Sequence, residues 1–329
     1  MKQLAPFLLL LVAALPACAE APRRIAILGC HRQNEPTPAL AAYVKAKPEL
    51  CLWIGDNVYA DTKDDIGFIR KCYDVLAAKP GFAELKRDSI FLPTWDDHDF
   101  GLNDAGGSYA LKAESKELFR KFWEMEDAIP AEQDGIYYSR VFGEGAKSLQ
   151  IILLDPRYNR EDPGPAADTL GEAQWTWLAG QLKQPAALRF IVSGYQVLLD
   201  AGTGSETWAE FPAARERLFK TVRDSGAQGV VFLTGDQHYA EVCRMPGAIG
   251  YDAIELQFAG LNQIEEPEFN RTRVSPVATA KHKMGLIDIQ WGDTPHDPPH
   301  LLFQVSDALT GREEIRYRVN FHELVSAKR

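Results

Sequence analysis

Two carboxylates and a phenol come in quick succession in Gly55-Asp56-Asn57-Val58-Tyr59-Ala60-Asp61, directly behind the apolar run Leu50-Cys51-Leu52-Trp53-Ile54. A carboxylate can bridge two cations, and a phenol close by can bind a hard, highly charged one, so the stretch can supply half of a site for oxygen-loving metals. Alone, Gly-Asp-Asn is also ordinary turn chemistry. The arrangement recurs, however. Apolar runs also end at Cys30-His31, at Asp96-Asp97-His98-Asp99, at Asp155-Pro156-Arg157 and at Asp236-Gln237-His238. Carboxylates crowded at one edge repel one another unless cations neutralise them. The donor types narrow the metal. No Cys-x-x-Cys zinc pattern or EF-hand loop is present. A thiolate and a phenolate suit ferric iron, whereas carboxylates and the amide oxygen of Asn103 suit calcium, magnesium or manganese. Two such cations could clamp a phosphate ester, make a held water nucleophilic near neutral pH and stabilise the leaving oxygen.

These clusters must be positioned by the apolar runs that precede them. Residues 24–28, 50–54, 90–95, 148–154, 189–194 and 229–234 read as buried strands, and 37–47, 64–78, 109–125, 171–182 and 211–225 as helices between them. Strands alternating with helices predict a sheet with a parallel portion, whose ligands gather beyond the carboxyl ends of the strands. Beyond residue 250 the pattern changes. Residues 254–258, 285–291, 300–305 and 314–319 alternate apolar with polar, which predicts half-exposed antiparallel strands. The expected organisation is one α/β domain over 20–329 with a β-rich C-terminal part.

A net charge of −10 argues against nucleic acid as a partner, because phosphate backbones demand clustered Lys and Arg. At the N-terminus, Lys2, an apolar run over 7–15 and Ala17-Cys18-Ala19 read as a secretory signal peptide over 1–19, too short to span a bilayer as a folded helix. The expectation is an exported protein, periplasmic or secreted, with lipidation at Cys18 as the alternative because Leu15-Pro16-Ala17-Cys18 resembles a lipoprotein signal. Export permits disulfides among Cys30, Cys51, Cys72 and Cys243, and spacing assigns none.

Taken together, Gly29-Cys30, the Gly55 to Asp61 stretch, Trp95-Asp96-Asp97-His98-Asp99 with Asn103-Asp104, Leu154-Asp155-Pro156-Arg157 and Thr234-Gly235-Asp236-Gln237-His238 resemble the alkaline phosphatase D (PhoD-like) family of metallophosphatases. Leu170-Gly171-Glu172-Ala173-Gln174-Trp175 and Ser193-Gly194-Tyr195-Gln196-Val197 are weaker echoes. The resemblance implies a four-layer α/β/β/α metallophosphatase sandwich that hydrolyses phosphomonoesters, phosphodiesters or both, with Fe3+ and Ca2+ as cofactors. Carried over by position, Cys30 and Tyr59 would hold iron, Asp56 would bridge it to a second cation, and Asp97 with Asn103 would bind that cation. Asp236 and His238 would complete the cluster or contact substrate. His98 or His238 would assist the leaving oxygen while a hydroxide held on the cations attacks phosphorus. Arg157 would pair with phosphoryl oxygens in forked geometry. Family members often carry an extra domain ahead of the catalytic one, whereas here the first motif follows the signal directly.

Other residues have plainer readings. Cys30 taken alone could be a small buried thiol. His31 has no assigned role, Asp96 and Asp99 could cap or orient rather than ligate, and Asp155 is expected to orient Arg157. His282, His296, His300 and His322 lack companion ligands. The alternative function is an inactive exported protein that binds phosphate or metal on the same scaffold, and the absence of any Gly-x-Ser-x-Gly disfavours a serine esterase.

Overall fold

The computed structural model describes residues 20–200, 205–294 and 296–326, so the expected signal peptide, Cys18 and Gly202-Thr203-Gly204 lie outside the described residues. The apolar runs form two sheets. In the first, β1 (Arg24–Leu28), β2 (Leu50–Ile54) and β3 (Ile90–Thr94) pair in parallel. Helices α1 (Pro38–Ala46), α2 (Ile66–Ala77) and α3 (Phe82–Asp88) lie in their crossovers. The chain then passes through the single turn α4 (Asp97–Phe100) and α5 (Lys112–Phe122) to the second sheet.

There, β4 (Tyr138–Glu144) forms an antiparallel hairpin with β5 (Lys147–Leu153). Next come α6 (Glu172–Gln181), β6 (Leu188–Ser193), α7 (Pro212–Ser225), β7 (Val230–Thr234), β8 (Ala240–Met245) and β9 (Ala253–Phe258). Finally β10 (Lys283–Gln290), β11 (His300–Asp307) and β12 (Glu313–Asn320) return to the first sheet, where β10 runs antiparallel to β1. The strand orders are β12-β11-β10-β1-β2-β3 and β4-β5-β6-β7-β9-β8. Face to face with helices outside, they make a four-layer α/β/β/α sandwich.

Burial explains why these runs are strands. Every residue of β2, β6 and β7 is buried, as expected of strands covered on both faces. Between the sheets the approach is close: Thr94 Oγ1 donates to the Leu154 carbonyl at 3.0 Å, and a Cβ on Gly285 would come within 2.6 Å of the Phe258 ring. Local caps follow the sequence. The Asp65 carboxylate accepts from Phe68 N at 3.1 Å to start α2, and Gly226 ends α7 at a φ of 72°, where a side chain would be strained.

Two expectations are corrected. Residues 254–258 are not a half-exposed antiparallel strand: all of β9 is buried, and it pairs parallel to β7 and antiparallel to β8. Its alternating polar residues are satisfied inside the protein, with Glu255 accepting from the backbone of Val197 at 2.6 Å. The helix expected over 109–125 is confined to Lys112–Phe122. Cys30, Cys51, Cys72 and Cys243 are buried free thiols.

Candidate metal centre

Strand ends from both sheets meet at one edge. The pairing of β1 and β2 continues past their ends, with Cys30 N donating to Gly55 O at 3.1 Å and His31 N to Asp56 O at 2.8 Å. Cys30, Asp56 and Asp236 then adopt φ values of 48°, 50° and 71°. Side-chain-bearing residues rarely adopt this left-handed conformation, and it persists only where surrounding structure over-determines it. Gly55, at φ 112°, has no room for a side chain because its Cβ would lie 2.7 Å from Asp96 Cβ.

The donor atoms converge. Cys30 Sγ and Tyr59 Oη each lie 3.4 Å from Asp56 Oδ2, and Tyr59 Oη lies 2.9 Å from His238 Nε2. His98 N donates to Asp97 Oδ1 at 2.9 Å and to Asp56 Oδ1 at 3.3 Å. One donor atom from each member comes within 4.8 Å of the others in Cys30/Asp56/His238, in Asp56/Asp97/His98, in Asp56/Asp96/Asp236 and in Asp97/Asp104/Glu206. Asp56 is common to the first three of these groups.

A sequence profile of the family described as PhoD-like phosphatase matches residues 25–284. The chain belongs to the PhoD-like phosphatase family. It is therefore a metal-dependent phosphoesterase, as the expected motifs implied. Among solved structures, PhoD is similar with a TM-score of 0.63 at 16% identity, covering 92% of this chain and 73% of that one. Purple acid phosphatase PPD1 from yellow lupin gives 0.65 at 14% identity, covering 92% and 54%. GAP50 of Plasmodium, an anchor in the inner membrane complex, gives 0.57 at 12% identity, covering 92% and 90%. These likenesses concern the fold. No curated protein matches the chain.

The electrostatics of this PhoD-like phosphatase suit a cation. Burial, reinforced by Asp97, Asp96, Asp99 and Asp236, pushes the Asp56 carboxyl well above the usual carboxylate range. Burial together with Asp56 and Asp236 likewise raises the Cys30 thiol, and burial with Cys30 and Asp56 raises the Tyr59 phenol. Asp96 Oδ2 is buried without a hydrogen-bond partner. Donors held close but pressed toward their protonated forms fit a positively charged occupant, whose attraction for the deprotonated forms would oppose these effects.

The histidines differ from each other. His98 Nδ1 pairs with Asp61 Oδ1 at 2.8 Å, and its ring centroid lies 4.1 Å from that of Tyr59. Burial opposes its positive charge, but Asp61 and Asp97 outweigh burial and raise its pKa. His238 is held down to about 4 by burial, with Lys283, His98 and Arg32 adding to the effect. His31 is buried between the Asn57 carbonyl and Thr37 Oγ1, a structural placement.

Arg157 is wholly buried, and its fork is filled by protein rather than open to solvent. Nε donates to Asp96 Oδ1 at 2.5 Å, Nη1 donates to Glu206 Oε1 at 3.0 Å, and Nη2 donates to Glu206 Oε2. A buried guanidinium needs such partners, since unpaired charge in the interior is costly. Asp155 orients it through the backbone, accepting from Arg157 N at 2.9 Å while also holding Trp95 Nε1 at 2.9 Å. Asp99 is a knot of backbone bonds, accepting from the N–H groups of Asp56, Asn57 and Asp96. Asn103 is exposed, with its backbone N–H on Asp61 Oδ1 at 3.0 Å.

Sequence reading missed Glu206, Glu265 and Gln263. Glu265 Oε2 lies 3.3 Å from His238 Nδ1, and Gln263 Nε2 donates to the Cys30 carbonyl at 3.2 Å. Both come from the irregular connection between β9 and β10, which carries no periodic signal.

Gly194 permits the close approach of Asp96. A Cβ there would lie 2.3 Å from Asp96 Oδ1, the atom that receives Arg157 Nε. Gly194→Ala is expected to lower stability by about 1–3 kcal/mol through overpacking. Gly180→Ala, whose added Cβ meets nothing within 4 Å on α6, should raise stability by about 0.5–1 kcal/mol. Urea unfolding of the two variants would test these opposite signs.

Proposed function

We propose that this chain is an exported phosphoesterase of the alkaline phosphatase D type, hydrolysing phosphomonoesters, phosphodiesters or both, and that residues 20–329 work as one catalytic domain. The observation that carries the site assignment is the sharing of Asp56 among three groups of converging donors. Cys30, Tyr59 and Asp56 would hold Fe3+, with His238 and Asp236 completing that side. Asp56 and Asp97 would hold Ca2+, with Asn103 joining through its amide oxygen. When bound, the cations supply Lewis acidity and neutralise charge on the phosphoryl group.

The chain's own groups do the rest. His98, whose pKa Asp61 and Asp97 raise against the effect of burial, would donate a proton to the leaving oxygen. His238, kept neutral at physiological pH, is suited to accept one or to act as a ligand. Arg157 holds Asp96 at 2.5 Å and lies 3.8 Å from Asp97, so it fixes the carboxylates around the site.

The test is an absorption spectrum and metal analysis of protein purified without chelator, together with hydrolysis of mono- and bis-nitrophenyl phosphate. A coloured protein containing iron and calcium is expected, because thiolate or phenolate on ferric iron gives a charge-transfer band. A colourless protein with two divalent ions and full activity would remove the iron assignment, and prolonged chelation that leaves turnover intact would remove the metal requirement. Fractionation of cells expressing the full chain tests export.

A further inference from the structure

Arg32 lies two residues beyond Cys30, at the edge of the donor cluster, and its charge is felt by His238. Its backbone is clamped by Asn262, whose Oδ1 accepts from Arg32 N at 2.9 Å and whose Nδ2 donates to Arg32 O at 2.9 Å. Its Nε donates to Gln263 Oε1 at 2.5 Å, and its Cζ lies 5.0 Å from the centroid of the Tyr59 ring. The side chain is exposed all the same, and its two terminal nitrogens have no hydrogen-bond partner among the described residues. An exposed arginine normally keeps its rotamer freedom, which a fixed orientation sacrifices. Here the guanidinium is held by a buried glutamine and an aromatic face while its forked end stays open.

The other cations around the centre are engaged. Arg157 and Arg160 both donate to Glu206, and the Lys283 ammonium is buried on the carbonyls of His238, Gln263 and Ala280. Arg32 alone, among these described groups, presents open charged donors beside Tyr59.

We propose that Arg32 is the substrate-anion-binding residue of this site, receiving non-bridging oxygens of the ester's phosphate in forked geometry, and that Gln263 is its positioning residue. A guanidinium fork matches phosphate bidentately, and its attraction is greater for a dianionic monoester than for a monoanionic diester. The assignment rests on the phosphoesterase reading for its kinetic consequences, but it also makes a prediction about plain phosphate binding.

The experiment uses the metal-loaded full chain as wild type, Arg32→Gln, Arg32→Lys and Gln263→Ala. Inorganic phosphate is titrated calorimetrically, and KM and kcat are measured with mono- and bis-nitrophenyl phosphate. Arg32→Gln should weaken phosphate binding and raise KM for the monoester by about tenfold or more, with a smaller effect on the diester. Arg32→Lys should recover part of the loss, Gln263→Ala should lie between, and metal content and spectrum should not change. Phosphate affinity and monoester KM in Arg32→Gln within about twofold of wild type would overturn the assignment. A wild type that binds phosphate without turnover would defeat the phosphoesterase reading instead, and a calorimetric loss in Arg32→Gln would still uphold Arg32.

Discussion

Asp56→Asn is expected to lower kcat by on the order of a thousandfold or more while leaving the thermal midpoint at or above that of the wild type, since losing several kcal/mol of charge stabilisation at a metal site is worth about three decades. Both halves come from the same geometry. The Asp56 carboxylate is fully buried, sits 3.4 Å from Cys30 Sγ and Tyr59 Oη, and is common to three donor groups. Without a cation its charge is opposed by burial first and then by Asp97, Asp96, Asp99 and Asp236, so the metal-free fold has no need of it. An amide of the same shape can keep accepting from His98 N, which lies 3.3 Å from Oδ1. Kinetics with nitrophenyl esters and a thermal melt without added metal check the two halves. Activity within about tenfold of wild type would remove Asp56 from the centre. A large fall in the metal-free midpoint would show that its role is structural.

The second large effect concerns stability. Arg157→Met should destabilise the protein by about 3–5 kcal/mol, the usual result of removing one partner from a buried ion network. Burial alone works against the Arg157 charge, but Asp96, Glu206 and Asp97 together outweigh it, so its proton is held more tightly than usual. The guanidinium also lies 4.8 Å from the Tyr195 ring centroid. Its removal leaves Asp96, Asp97 and Glu206 facing one another. Urea unfolding measures the loss, and combining Arg157→Met with Asp96→Asn and Glu206→Gln should recover part of it. A single variant as stable as wild type would mean that the carboxylates are relieved in some other way.

Much of this architecture is legible in the sequence where short-range chemistry decides it. Leu50-Cys51-Leu52-Trp53-Ile54 reads as a buried strand because its uniformly apolar run stops at a glycine and an aspartate, and the structure has β2 there. Glu255 and Gln257 misled because periodicity reports polarity rather than exposure, and polar residues of β9 find partners inside. The hairpin strand β4 escaped notice because Tyr138-Ser139-Arg140-Val141-Phe142 mixes polar and apolar residues at the edge of a sheet. At the site, the strand ends are visible because residue type and local spacing mark them. The ion network through Glu206 is not, because Arg157 and Glu206 are joined only by the fold. Arg32 is hidden for the same reason, since its fixed orientation depends on Asn262 and Gln263 far along the chain.

The two sheets each carry part of the donor set: Cys30, Asp56 and Asp97 follow strands of the first, and Asp236 and His238 follow β7 of the second. The spacing of the donors is therefore gauged by whatever fills the gap between the sheets, including the Phe258 ring lying against Gly285 and the bond from Thr94 to the Leu154 carbonyl. The interior acts as a calliper. Substitutions there that merely thicken or thin the packing would change the jaw width at the rim, and would be registered as altered chemistry by residues they never touch.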